Sequence, residues 1–210
     1  MKKIPLQRMV LLAILGAWAL IMRSFDFPIL PYAPFLKVDT SDLVVLIGLL
    51  IAGPKGLIAV AGVRDGAHYL LTGGEGGIPI GIIMSFLASL LMFLPTHFVL
   101  TKGKGLAKGP SHLLMALGLV TSLTVGMGLF NYYLALPIYI RVMHFPIDHF
   151  LNYVMTLIVP FNLIKGSLIA IGQWGVLSYL APVIDRLVGI YPAYCPRDLP
   201  EANQLAHDRG

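Results

Sequence analysis

Three places in this chain set polar side chains inside otherwise apolar stretches, and these are where chemistry is possible. The first is Val159-Pro160-Phe161-Asn162-Leu163-Ile164-Lys165-Gly166. Asn162 and Lys165 stand i, i+3 and share one helical face, and Pro160 frees a backbone carbonyl beside them. The second is Asn131, followed by Tyr132 and Tyr133. The third is Arg64-Asp65 with His68. A polar group in hydrocarbon is costly and normally faces the bundle interior or a cavity, so each group needs a partner or a ligand.

An amide offers two N–H donors and an accepting oxygen, whereas a lysine ammonium offers donors alone. Asn131, Asn162 and Lys165 together could therefore read the imide-like edge of a heterocycle plus a hydroxyl or carboxylate, with tyrosines and phenylalanines stacked on its faces. Either asparagine could equally serve only to bond a neighbouring helix. Lys165 has no acidic residue close in sequence, which favours a ligand contact. Arg64 and Asp65 are consecutive, point about 100° apart on a helix and need not pair with each other. Asp65 and His68 share a face. A structural ion pair is the favoured reading of this group, with a proton relay as the sharper alternative.

Other chemistries lack their residues. There is no G-x-x-x-x-G-K-[ST] phosphate loop, no H-E-x-x-H and no pair of acids at catalytic spacing, and the six histidines are scattered. The single cysteine, Cys195, excludes an internal disulfide or a cysteine metal cluster. No catalytic residue, metal ligand or cofactor is expected.

The elements that must position these residues follow from composition. Hydrophobic residues make up 57% of the 210 and charged residues 12%, against about 25% charged in a soluble domain. Such a chain cannot cover a water-facing surface. Apolar stretches fall at about 9–23, 42–53, 56–72, 78–100, 112–139 and 151–181. With ~20 residues per span, the expected fold is all-α: six transmembrane helices packed as one unit over residues 1–182. Residues 183–210, polar and Pro-rich, are expected to form a loosely ordered tail. Lys2, Lys3 and Arg8 before the first apolar run resemble a signal peptide, but Arg23-Ser24-Phe25-Asp26 offers no small-residue cleavage site, so the run is expected to remain as the first span.

The net charge of +5 is spread between apolar runs, which signals topology rather than a nucleic-acid groove. With the N-terminus inside, ten Lys and Arg fall on inner segments, while Arg23, Lys37 and Arg141 fall outside. Both termini are therefore expected in the cytoplasm, in a multi-pass protein of the cell membrane. The longest outer segment, 24–42, carries Pro28, Pro31 and Pro34 among Phe25, Phe27, Tyr32 and Phe35. Proline stiffens such a loop and its aromatics avoid water, so it serves either as a lid over a pocket or as an interfacial aromatic belt.

Phe35-Leu36-Lys37-Val38-Asp39-Thr40-Ser41-Asp42 resembles the F-L-K-x-D-x-S-D signature of energy-coupling-factor (ECF) transporter substrate-binding subunits, the riboflavin-specific ones above all. Leu70-Leu71-Thr72-Gly73, Phe130-Asn131-Tyr132-Tyr133, Leu136-Pro137-Ile138-Tyr139 and Pro160 to Gly166 are similar in order and spacing, over about residues 9–182. The resemblance implies a six-helix S component that binds a vitamin from outside, with a membrane scaffold (T) subunit and two cytoplasmic ATPase subunits supplying the energy. Riboflavin would be cargo, held by Phe35, Leu36, Asn131, Tyr132, Asn162 and Lys165. Ala13 and Ala17 match the family's small-residue scaffold-docking face, although spacing of this kind also serves ordinary packing. One departure is Gly77-Ile78-Pro79-Ile80-Gly81-Ile82, where many riboflavin-type relatives start helix four with a Glu-Leu-Ala-Asn-like segment. The competing readings are another vitamin, such as pantothenate or a pyridoxine-like ring, a ligand-free membrane scaffold, and a stand-alone proton-coupled carrier.

Overall fold

The computed structural model describes residues 6–31, 33, 36–74, 77–103, 107–143 and 149–194. Six helical stretches run through it: α1 (Leu6–Arg23), α2 (Ser41–Ala52), α3 (Pro54–Thr72), α4 (Ile80–Lys102), α5 (108–143) and α6 (150–187). Each matches one of the six expected apolar stretches, displaced by a few residues at the ends. Four of them, α1, α4, α5 and α6, are long and apolar enough to cross a membrane.

The other two depart from the expected spans for different reasons. α2 has only 12 residues, and ten of them are buried. At 1.5 Å per residue it rises about 18 Å, short of a ~30 Å hydrocarbon core. A helix apolar on every side belongs in the middle of a protein, and α1, α3, α4 and α6 all pack against it. α3 has 19 residues but buries Arg64 and Asp65, which lower its apolar character. The turn between them is tight: Gly53 takes φ +65°, and Pro54 opens α3 at its first turn. There the backbones touch, since a Cβ on Gly56 would overlap the carbonyl oxygen of Gly48.

α5 and α6 are interrupted by three π-helical turns, Asn131–Ala135, Val154–Ile158 and Val176–Leu180. Pro137, Pro160 and Pro182 each lie two residues beyond one of them. A proline ring inside a helix collides with the carbonyl four residues back, and here that residue lies within the widened turn. The wider turn makes room for the ring. Pro95 in α4 has no such turn.

The ends of the molecule differ. At one end, two-residue strands β1 (Phe27–Pro28) and β2 (Lys37–Val38) pair antiparallel, with Phe27 opposite Val38, and fold the 24–40 loop against α6. At the other, α6 continues through Pro182 to Leu187, so the expected boundary at 182/183 falls within a helix. Residues 188–194 then return across the α2–α3 turn. The Tyr191 N–H donates to Leu50 O at 2.7 Å, and the Tyr194 hydroxyl lies 2.8 Å from His97 Nδ1 on α4. Arg8 donates to Ile51 O and Val188 O, tying α1 to the same strap. Tyr191 and Tyr194 give this piece of the expected tail apolar surface to bury. Residues 195–210 lie outside the described residues.

Candidate functional site

The site is built where the 24–40 loop, the start of α2 and the first half of α6 meet. Leu30, Ala33 and Val38 of the loop are buried with Phe161, and Ile29, Leu36 and Leu157 pack around them. Leu36 also touches a second cluster formed by Leu136, Val154 and Ile158, edged by Tyr132, Phe150 and Tyr153. Lys37 holds the loop to Asp26 at 3.0 Å on the exposed side. The loop is thus a wall laid against α6. Phe25 and Phe27 stay exposed.

Asn162 is buried, and its amide N–H donates to Ile158 O at 2.9 Å. Asn131 is half-buried, opens the first π turn and donates to Met127 O at 2.8 Å. Among the described residues neither amide makes a further bond, which leaves each a second N–H and an oxygen. Tyr132 is half-buried and sets its ring edge-to-face with Tyr133 and Phe150, with centroids at 4.9 and 6.1 Å. Phe35 lies outside the described residues. Ala13 and Ala17 sit together on an exposed face of α1, beside Ile14, Trp18 and Ile21.

Lys165 has an acidic neighbour in space, though none close in sequence. Its Nζ lies 3.1 Å from Asp42 Oδ2 at the start of α2. Sequence distance hid this pair, because helix packing and not chain proximity brings the two together. Asp42 belongs to a larger buried network. Arg64 is 1% exposed and donates to Ser41, Asp42, Asp65, Ser85 and Ser89 at 2.9–3.2 Å. The structural ion pair favoured for this group is present, and Arg64 and Asp65, left open as partners, do pair with each other. The Arg64 side chain is long enough to curl round its own helix, and Nε and Nη2 meet the two Asp65 oxygens at 3.0 Å each. Arg23 at the end of α1 reaches Asp65 Oδ1 and Ser85 Oγ at 2.6 Å. His68 makes no hydrogen bond to Asp65 among the described residues.

The network therefore joins Arg23, Arg64 and Lys165 to Asp42 and Asp65, three cations to two anions. Buried charges persist only when paired and hydrogen-bonded, and here the serine hydroxyls fill the remaining positions. The unmatched positive charge suits a partner rich in carbonyl or hydroxyl oxygens, and two of the three Lys165 donors have no partner among the described residues. The sequence signalled Arg64, Asp65 and Lys165 through their depth in apolar runs. Arg23, Ser85 and Ser89 carried no such signal.

Comparison with known proteins matches this arrangement to a family. The family model described as ECF transporter, substrate-specific component, covers residues 7–172. The riboflavin transporter FmnP of Bacillus subtilis (strain 168) is 34% identical over 186 residues, spanning 86% of this chain and 95% of the relative. The riboflavin transporter RibU of Streptococcus thermophilus is 33% identical over 184 residues, 86% of each protein. A solved structure described as "Structure and mechanism of the S component of a bacterial ECF transporter" superposes with a TM-score of 0.69 at 27% identity, covering 86% of this chain and 98% of that one. Family, full-length relatives and fold agree: this chain is a multi-pass membrane protein belonging to the substrate-specific components of ECF transporters.

Proposed function

We propose that the chain binds riboflavin at the outer face of the cell membrane and delivers it for ATP-driven uptake. The observation that carries this is the partly unused hydrogen-bonding capacity of Asn162 and Lys165, one helical turn apart on α6 beside the docked loop. Two relatives that align over most of their length are riboflavin transporters by name. In this reading Asn131 and Asn162 address the polar edge of the isoalloxazine, and Lys165 donates to a carbonyl or ribityl hydroxyl. Tyr132 stacks, and Leu36 with Phe35 closes the loop over the ring. Both termini face the cytoplasm, as the charge asymmetry favours. A membrane T subunit docks on the Ala13/Ala17 face, and two ATPase subunits supply the energy.

The test is titration of riboflavin into the purified protein, read by quenching of flavin fluorescence. Saturable binding below micromolar concentration is expected, weakened at least tenfold by Asn162→Ala. Absence of quenching at micromolar riboflavin refutes the substrate.

A further inference from the structure

The two oxygens of Asp42 face different ways. Oδ1 accepts from Arg64 Nη1 and from Ser89 Oγ, both at 2.9 Å, and so is anchored to α3 and α4. Oδ2 is left to meet Lys165 Nζ on α6 at 3.1 Å. Arg64 does not depend on Asp42 for its counter-charge, because Asp65 already grips it through two parallel bonds. The second oxygen of Asp42 thus has one described partner, and that partner is the ammonium facing the site.

A free lysine side chain loses rotamer freedom when it is fixed. If that ordering precedes ligand arrival, it no longer subtracts from affinity. We infer that Asp42 is a positioning residue for ligand binding: it holds the Lys165 ammonium in one direction, leaving its two other N–H groups aimed at the ligand. Asp42 itself does not touch the ligand and acts through Lys165 alone. This inference rests on the reading of Lys165 as a riboflavin contact.

The experiment is a double-mutant cycle in riboflavin affinity on the full chain in detergent or nanodiscs. Asp42→Asn in the otherwise native protein is expected to weaken binding about tenfold. In the Lys165→Met background the same change is expected to do nothing further. A general loss of packing would weaken binding in both backgrounds. Asp42→Glu, which keeps the charge, is expected to recover more of the affinity than Asp42→Asn; if Asp42→Asn does not fold, Asp42→Glu takes its place in the cycle, with a two- to fivefold loss that again vanishes with Lys165→Met. Equal effects in both backgrounds, or no effect in the native one, overturn the inference. Failure of the native protein to bind riboflavin would instead strike the proposed function, and the two failures are distinguishable.

Discussion

Removing one carboxylate from the buried network should cost more than its own bonds. Asp65 pairs with Arg64 through both oxygens and with Arg23 at 2.6 Å, and it is almost wholly buried. Asp65→Asn keeps the shape but deletes the charge. Arg23, Arg64 and Lys165 then face Asp42 alone, and the surplus rises from one positive charge to two. Breaking a buried pair by removing one partner costs about 3–5 kcal/mol, because the charge left behind is uncompensated. On the scaling for a 150–250-residue domain, each kcal/mol moves Tm by roughly 2–4 °C, which places the expected drop at about 6–20 °C. The assay is thermal unfolding of the detergent-solubilised protein without ligand. The electrostatic account makes a second demand: Arg23→Gln added to Asp65→Asn returns the surplus to one and should recover part of the loss. A single variant within 2 °C of the native protein, or a double variant worse than the sum of the singles, refutes the reasoning.

Other expectations concern packing, the strap and the loop. Gly56→Ala pushes a methyl into the backbone of Gly48 and should destabilise by about 1–3 kcal/mol, read by the same melt. Tyr194→Phe removes the contact with His97, for a loss of about 1 kcal/mol at neutral pH. Burial raises the Tyr194 phenol above its ordinary value, so the stability it contributes is fully present below pH ~10 and is lost as the pH climbs above it. Tyr194→Phe should flatten that alkaline loss, which melts from pH 8 to 11 would record. Leu36→Ala loosens the contact that joins the loop to both apolar clusters. It should weaken riboflavin binding several-fold, mainly through faster dissociation, as stopped-flow quenching would show.

The helices were legible because lipid imposes long apolar runs, and all six stretches could be outlined from hydropathy alone. What hydropathy could not say is which helix sits in the middle. α2 looks like its neighbours, and only its 12-residue length sets it apart. The polar positions were equally legible, since Asn131, Asn162 and Lys165 stood out against their surroundings. Their partners were not, because Asp42 reads locally as the first-turn acid of a helix. Its meeting with Lys165 depends on how α2 and α6 rotate against each other. The Arg64–Asp65 pair was left open for another reason: angular separation on a helix describes where a side chain starts, not where a long one ends. The π turns were not anticipated, because a proline alone does not specify one: Pro137, Pro160 and Pro182 follow such turns, while Pro95 lies in α4 without one. The strap escaped notice because its composition resembles that of a tail until Tyr191 and Tyr194 find their contacts.

The charge network also bears on how the protein enters the membrane. Arg23, Asp42, Arg64 and Asp65 all fall within the first 65 residues and sum to zero. α2 is too short to span alone, and α3 carries Arg64 and Asp65 in its interior, each of which costs about 2.5–3.5 kcal/mol at the centre of an inserting helix. Neither is suited to leave the translocation machinery unaccompanied. The first three helices can enter lipid together with these four charges matched, before Ser85 and Ser89 have been synthesised. Lys165 arrives a hundred residues later and meets an acceptor already in place, so its charge is the last of the network to join during biosynthesis.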